Sequence, residues 1–408
     1  MHSVTDFYSF VLVALAPLLQ QHLALSDQQK ALVLGVGSIA SGVIQPAAAW
    51  VSDKLDSRLI AVLGLAVAVV GVGMMGYVQG FGALLALQAI TAAGVGAFHP
   101  PAAAATGQLA GTRRRVFMAV FFLAGMVGGI TGNVLTPGYV GFFSRGGDAG
   151  SGLRALAWLI APGLLAVVML ERAIRRAPHR HAGAHDAHHG LPQEERRARW
   201  RAVWLLYAGN VLRFTVNMAL VYLFTELAES IARNRAASTA GEAAIALHAS
   251  AINGPLQGAM QVGMGGVALL LAWTLPARWT KASLVVMPLI GAASLIPPIL
   301  LGEDAATISL AVTLALAGSV MAGVGFGSLV PLTMSLGQHL LPHRTSLVSG
   351  MLLGGAWCLA FVGPMLAEFV HRDHGLGGGF TLVAGMLVAS SLVSMLLPGK
   401  LLAHVNTH

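Results

Sequence analysis

Long apolar runs, each about twenty residues and separated by short loops, constrain this chain more than any other feature. As an α-helix, a run of that length spans the ~30 Å hydrocarbon core of a bilayer. Only 10% of the residues are charged, whereas soluble domains average about 25%. We therefore predict an all-α polytopic membrane protein with twelve transmembrane helices. The predicted spans lie near 2–20, 30–51, 59–79, 82–106, 116–140, 152–170, 202–226, 250–273, 282–301, 307–334, 346–370 and 377–398.

A single charged segment divides these runs into two sets of six. Residues 171–201 hold eight of the 24 Lys and Arg residues and five of the 15 histidines. Charge runs of this kind are typical of solvated linkers. We predict an N-terminal six-helix bundle at 1–170, a cytoplasmic linker at 171–201 and a C-terminal six-helix bundle at 202–408. The linker histidines could bind a transition metal, but a flexible tract offers no fixed geometry, so we expect no metal site.

Basic residues are unevenly distributed between the two sides of the membrane. If the linker is cytoplasmic, seventeen of the 24 Lys and Arg residues lie on that side and six on the other, while Arg213 lies within a span. This is the positive-inside bias of membrane proteins. We therefore expect a multi-pass protein of the cell's inner membrane with both termini cytoplasmic. Because the net charge of +8 resides largely in these loops, no nucleic-acid partner is expected.

The two sets of six spans contain similar stretches. The fourth span contains GVGAFHP, residues 94–100, and the tenth contains GVGFGSLVP, residues 323–331. A basic turn and a glycine-rich span follow each of them. Six-helix repeats are the plan of transporters that rock about a central site. Chance similarity among Gly- and Ala-rich helices is the alternative.

The turn after the second span, AWVSDKLDSR at residues 49–58, resembles the loop motif G-x-x-x-D-R/K-x-G-R/K-R/K of the major facilitator superfamily. The matching positions are Asp53, Lys54 and Arg58. The positions that depart from the motif are Ala49, Asp56 and Ser57. The resemblance implies alternating access between two halves and a charged conformational latch formed by the matching residues.

Three further stretches resemble the fosmidomycin-resistance family of bacterial efflux proteins within that superfamily. They are His2-x-x-x-Asp6 followed by APLLQ, the Phe-His-Pro element that contains His99, and residues 334–357. The resemblance implies export of a small molecule. The chain departs from the family where Pro101 replaces the Glu that usually follows His-Pro, which leaves the substrate and the proton route open.

Three acids fall within the predicted spans: Asp6, Glu226 and Glu368. An ionised acid in mid-membrane costs roughly 2.5–3.5 kcal/mol, so it needs a partner, water or a proton. His2 and Asp6 share one helix face, and a carboxylate beside an imidazole can exchange a proton near neutral pH. We predict a proton-coupling pair, the alternative being two solvated groups at the membrane edge. His99 precedes two prolines, so it is either a substrate or proton contact or a partner of a freed backbone carbonyl.

Arg213 lies near the middle of the seventh span, with Asn210 and Asn217 on its helix face. A buried guanidinium suits carboxylates, phosphates or phosphonates, so these residues are candidates for contact with an anionic substrate. The alternative is a structural ion pair with an acid of another span. Glu368 is a further pathway candidate, although it lies near the outer end of its span. Glu226 lies at a span end and is expected to be solvated.

Together these features predict a secondary transporter that exports a small organic anion or a drug-like compound in exchange for protons. Metabolite uptake by symport or facilitated diffusion is the alternative within transport, and a polytopic enzyme or sensor is the alternative of another class. The chain shows no P-loop, G-x-S-x-G or metal-ligand helix motif, so we do not expect an enzyme. We expect no cofactor beyond a proton gradient, no partners beyond the small-molecule substrate and membrane lipid, and a monomer.

Overall fold

The structure is a computed structural model that describes residues 1–54, 58–109, 114–144, 148–175, 193–307, 309–341 and 344–399. Every regular element within these ranges is helical. The helices are α1 (His2–Ala14 and Ala16–His22, bent by 51°), α2 (Asp27–Lys54), α3 (Arg58–Met74), α4 (Phe81–Leu109), α5 (Arg114–Phe143), α6 (Ala149–Ile174), α7 (Gln193–Arg235), α8 (Glu242–Thr274), α9 (Thr280–Leu301), α10 (Ala311–Leu340), α11 (347–374) and α12 (376–395).

The number of membrane crossings agrees with the sequence pattern. Among the described residues, ten stretches are long and apolar enough to cross a membrane, and the bent α1 makes eleven. The stretch Leu347–Met395 holds 49 residues, roughly 73 Å as one straight helix and more than twice the bilayer core. Gly375, with a φ of 67°, interrupts this stretch and separates α11 from α12. The predicted all-α architecture of twelve spans is therefore confirmed for the described part of the chain.

Helix extends further into the predicted linker than the charge pattern suggested. α6 continues to Ile174, and α7 begins at Gln193. Ion pairs at i,i+4 spacing support both extensions, with Arg175 on Glu171 and Arg199 on Glu195. Residues 176–192 of the predicted linker, with its five histidines, lie outside the described residues.

The helices pack as two similar sets. In the N-terminal half α1 packs on α5, and α4 packs on both α2 and α3. In the C-terminal half α7 packs on α11 and α12, and α10 packs on both α8 and α9. The halves meet where α5 contacts α8 and where α2 contacts α11. We call the end at which α6 finishes and α7 begins the linker end, and the end at which α2 and α8 begin the opposite end.

Glycines allow the backbones of neighbouring helices to touch. A Cβ at Gly263 of α8 would overlap the carbonyl oxygen of Val320 of α10, and a Cβ at Gly323 would overlap the carbonyl oxygen of Met260. The contact is therefore reciprocal, as in other close helix pairs of membrane proteins. The glycine-rich stretch of the tenth span thus serves helix packing inside the C-terminal half.

We expect Gly263→Ala to destabilise the protein by about 1–3 kcal/mol, because the added methyl group must push α8 and α10 apart. Gly266→Ala on the same helix is the matched control, since a Cβ there meets no other atom within 4 Å. Thermal unfolding in detergent measures the effect as a lower Tm for Gly263→Ala alone. Equal Tm values for the two variants would contradict the close α8–α10 contact.

Candidate functional site

Three of the predicted site residues meet where α1, α4 and α5 pack together. His2 Nε2 lies 3.3 Å from Asp6 Oδ2, and His99 Nε2 lies 3.2 Å from Asp6 Oδ1. The two imidazoles therefore face different oxygens of one carboxylate, with their ring centroids 5.0 Å apart. The i,i+4 spacing on α1 positions the first pair, and α4 supplies His99. We call these three residues the imidazole–carboxylate triad.

The other nitrogen of each imidazole faces a backbone carbonyl. His2 Nδ1 lies 2.6 Å from the oxygen of Phe121, and His99 Nδ1 lies 2.7 Å from the oxygen of Val95. A carbonyl oxygen only accepts hydrogen bonds, so each Nδ1 must carry a hydrogen. The partner of His99 is not one of the carbonyls freed by Pro100 and Pro101. The alternative in which His99 binds a freed carbonyl is therefore wrong, and its role as a substrate or proton contact stays a prediction.

This arrangement determines how many protons the triad needs. With Nδ1 protonated, a neutral imidazole presents a bare Nε2, which is an acceptor, to an acceptor oxygen of Asp6. Each of the two N–O contacts therefore requires one further proton. With both protons present, the triad has a net charge of +1 and both contacts are hydrogen bonds. With one proton removed, the net charge is zero and one contact places two lone pairs against each other.

The triad is largely enclosed by apolar groups and by the backbone of α5. The ring of Phe121 stacks on His2 with centroids 3.9 Å apart. A Cβ at Gly125 would lie 2.5 Å from Asp6 Oδ2, so only glycine allows α5 to approach so closely. His2 is buried, and the Asp6 side chain is 16% exposed. The His99 side chain is 28% exposed, so the triad is accessible at that ring, while its inner polar atoms depend on one another and on two carbonyls.

The three side chains of the imidazole–carboxylate triad lie close enough to surround a metal ion, since their ligand atoms fall within 4.8 Å of one another. Three such atoms are one fewer than a structural zinc site supplies and equal the number that a catalytic zinc site takes from the protein. Shared protons already account for all four ring nitrogens and both carboxylate oxygens. The expectation of no metal site stays a prediction.

Arg213 forms a second polar centre, inside the C-terminal half. It is 1% exposed, and its guanidinium donates to Ser390 Oγ at 3.0 Å, Asn210 Oδ1 at 2.8 Å and Ser394 Oγ at 3.3 Å. All three partners are neutral. Asn217 is buried on the same helix but is not one of these partners.

The ion pair considered for Arg213 is absent from the described residues. Asp6 belongs to the triad, and Glu368 lies 3.8 Å from Arg372 on its own helix. The predicted pathway residues therefore form two separate sites, and Asn217 and Glu368 belong to neither. Only His2, Asp6 and His99 are brought together in one site, and Asn210 and Arg213 in another.

An ion cluster at the opposite end was not recognised from the sequence. Lys30 of α2 reaches across the interface between the halves, with Nζ 2.5 Å from Glu226 Oε1 and 2.9 Å from Glu229 Oε1 of α7. The expectation that Glu226 is solvated is wrong, because Lys30 pairs with it in a largely buried position. Lys30 lies at the start of one span, and the two glutamates lie near the end of another. Lys30 and Glu229 are 199 positions apart in the sequence, so local spacing does not reveal the pair.

The proposed charged latch at the linker end stays a prediction. The side chains of Asp53, Lys54 and Arg58 lie outside the described residues, although the backbone of α2 is helical to Lys54.

A family model described as Major Facilitator Superfamily matches residues 2–364. Fosmidomycin resistance protein of Escherichia coli (strain K12) is 25% identical over 174 residues, covering 43% of this chain and 41% of that protein. Uncharacterized MFS-type transporter YfnC of Bacillus subtilis (strain 168) is 24% identical over 136 residues, covering 33% of this chain and 32% of that protein. These matches thus span less than half the length of either relative.

The fold is also similar to that of solved transporters. A bacterial homologue of the human drug peptide transporters PepT1 and PepT2 superposes with a TM-score of 0.71 at 13% identity, covering 99% of this chain and 98% of that one. At this identity the similarity concerns the fold alone.

We expect Arg213→Met to leave the protein as stable as the wild type or to raise its Tm. A buried charge with neutral partners carries a desolvation cost that an apolar side chain of similar size does not. Asn210 still donates to Thr333 and Leu352, and Ser390 and Ser394 still donate to the carbonyls of Gly209 and Ser390. The replacement removes the guanidinium donor from Asn210 Oδ1, a cost that offsets part of the gain. A Tm well below that of the wild type would show that the guanidinium holds α7 and α12 together.

Proposed function

Because this chain belongs to the major facilitator superfamily, we propose that it is a proton-coupled exporter of a small organic anion or a drug-like compound. It is a membrane transporter rather than an enzyme. Export works by alternating access, in which two six-helix halves rock about a central path. The proton gradient across the inner membrane supplies the driving force, with both termini on the cytoplasmic side.

The observation that carries this proposal is the geometry of the imidazole–carboxylate triad, in which each Nδ1 faces a backbone carbonyl and each Nε2 faces Asp6. With both protons the triad is fully hydrogen-bonded, and with one proton removed it contains one repulsive contact. Its occupancy is therefore linked to how tightly α1, α4 and α5 pack. A coupling site needs this property, since a proton influences a conformational equilibrium only if it binds the two states differently.

Helix α1 supports the link between the triad and the other half. Its linker-end turns carry His2 and Asp6, while its remaining turns bond to α8. Asn253 Nδ2 donates to the carbonyl oxygen of Val13 at 2.7 Å, and the amide of Leu18 donates to Ser250 Oγ at 3.2 Å. A shift of α1 on proton loss would thus act directly on an inter-half contact.

The cargo assignment rests on two supports. Arg213 places a buried positive charge in the C-terminal half, and none of the described acids lies within salt-bridge distance of it. The resulting positive potential favours anions. The similarity to a fosmidomycin resistance protein supports the direction of export. Arg213 itself is enclosed between α7 and α12, so its contribution to this state is electrostatic rather than by contact with cargo.

The test uses purified protein in liposomes with an internal pH dye, an imposed proton gradient and a panel of phosphonates, organic acids and cationic drugs. We expect cargo-dependent proton flux from the wild type and at least a tenfold loss in Asp6→Asn, whose amide cannot exchange the proton. Cargo movement that ignores the gradient and persists in Asp6→Asn would refute coupling through the triad and leave a facilitator. Flux with the same compounds but in the uptake direction would favour the symport alternative.

A steric pair of variants separates the triad from general damage to α5. Gly125→Ala places a methyl group against Asp6, whereas Gly138→Ala on the same helix meets no other atom within 4 Å. We expect Gly125→Ala to lose proton flux and Gly138→Ala to keep it. Equal flux in both variants would contradict the role of the triad.

A further inference from the structure

Three buried carboxamide side chains lie between the two halves, close to the imidazole–carboxylate triad. Asn133 of α5 and Gln257 and Gln261 of α8 are each at most 4% exposed. Both polar side-chain atoms of Asn133, together with Gln257 Oε1 and Gln261 Oε1, have no hydrogen-bond partner among the described residues. They are four of the seven such buried side-chain atoms in that part of the chain. We call these three residues the carboxamide seam.

The packing of α5 on α8 brings the seam residues to a common depth. A Cβ at Gly129 would lie 2.6 Å from Gln261 Oε1. A Cβ at Gly254 would overlap the carbonyl oxygen of Asn133. The two helices therefore run antiparallel, and Gln257 lies level with the turn of α5 between Gly129 and Asn133. Asn133 shares a helix face with Gly129, and Gln257 shares one with Gln261, because each pair is spaced i,i+4.

The seam begins one helical turn from the triad. Gly125 is the point at which α5 approaches Asp6 Oδ2, and Gly129, where α5 approaches Gln261, follows one turn later. Side chains at this spacing have Cβ positions about 6 Å apart. The seam therefore continues from Asp6 along α5 in the direction of the opposite end.

Direct hydrogen bonds close the seam on its far side. Gln257 Nε2 donates to Asn253 Oδ1 at 3.0 Å, and Asn253 Nδ2 donates to the carbonyl oxygen of Val13 at 2.7 Å. One turn further along α8, Ser250 Oγ accepts from the amide of Leu18. The partnerless atoms thus occupy a short zone between the triad and the bond from Asn253 to Val13.

The chemistry of the seam indicates what it binds. A carboxamide oxygen accepts hydrogen bonds and a carboxamide nitrogen donates them, so a ligand that satisfies Asn133 must do both. The seam itself is uncharged, and an ion placed there would lose its hydration without gaining a counter-charge. Water both donates and accepts, and buried water typically bridges polar groups that lack protein partners.

We propose that the carboxamide seam binds ordered water and that this water is a second proton route to the triad. Antiport requires the coupling site to exchange its proton with each side of the membrane in turn. The ring of His99, 28% exposed, gives the triad one route, and the seam gives another that leads towards the opposite end. Hydration of the seam follows from its own geometry, whereas the proton route rests on the proposed function.

Water-edited solid-state NMR of protein in lipid bilayers, with nitrogen-15 in the asparagine and glutamine side chains, measures the hydration. Asn210 is the matched control, because it is also fully buried but donates to Thr333 and Leu352. The two signals are identified by their loss in Asn133→Leu and Asn210→Leu. We expect magnetisation from water to reach Asn133 severalfold faster than Asn210. Equally slow transfer to both would show that the seam is dry and overturn the inference, leaving the proposed function intact.

Proton flux in the liposome assay tests the route. Asn133→Leu and Gln261→Met keep the size of the side chain but remove the groups that hold water. Because these groups lack protein partners, their replacement should not lower the Tm. We expect cargo-dependent proton flux to fall severalfold in both variants and to stay at the wild-type level in Gln28→Met, an exposed control. Wild-type flux in Asn133→Leu and Gln261→Met would refute the route.

Two further readings separate the seam from the triad and from the proposed function. The nitrogen-15 signals of His2 and His99 should be unchanged in Asn133→Leu, because the variant leaves the triad intact. Altered signals would assign the loss of flux to a damaged triad and overturn the route. Cargo movement that ignores the gradient in the wild type would refute the proposed coupling and the route with it, while the transfer of magnetisation to Asn133 would still decide whether the seam binds water.

Discussion

Two backbone carbonyls determine the chemistry of the N-terminal half. The oxygens of Phe121 and Val95 hold a hydrogen on Nδ1 of His2 and His99, so both bare nitrogens must turn to Asp6. Without those carbonyls each imidazole could exchange tautomers and satisfy the carboxylate while neutral. With them, the three side chains form complete hydrogen bonds only when a second proton is present. The protonation of the triad thus follows from the packing of α1 on α5 and from the helical geometry of α4.

Close packing transmits that requirement to the rest of the protein. α5 approaches the triad at Gly125, where a side chain would collide with Asp6, and α5 is also one of the helices that contact the C-terminal half. α1 carries the triad and bonds to α8 through Val13 and Leu18. A change in either helix therefore reaches the interface between the halves. At the opposite end the same interface is joined by Lys30 and two glutamates of α7, which places ionisable groups at two depths of the structure.

The sequence was sufficient for the twelve spans and for the pair His2 and Asp6, because apolar length and i,i+4 spacing are local properties. It also indicated His99 as a polar group inside a span. It could not reveal the carbonyl of Phe121, which lies 119 positions from His2, and this contact decides the proton count. Lys30 was placed at a span end and Glu226 at a solvated edge, since only the packing of α2 against α7 buries them. An acidic ion-pair partner was considered for Arg213, but the partners that α12 supplies are two serines. The residue spacing along α7 carries no information about the residues of α12.

The most direct test of the account is nitrogen-15 NMR of histidine-labelled protein in nanodiscs, recorded across the range from acid to alkaline pH. The signals of His2 and His99 are identified among the 15 histidines by their loss in His2→Gln and His99→Gln. We expect Nδ1 of both rings to stay protonated throughout, while one proton is gained and lost on the Nε2 side shared with Asp6. Either ring with a bare Nδ1 and a hydrogen fixed on Nε2 would contradict the proton count on which the account depends.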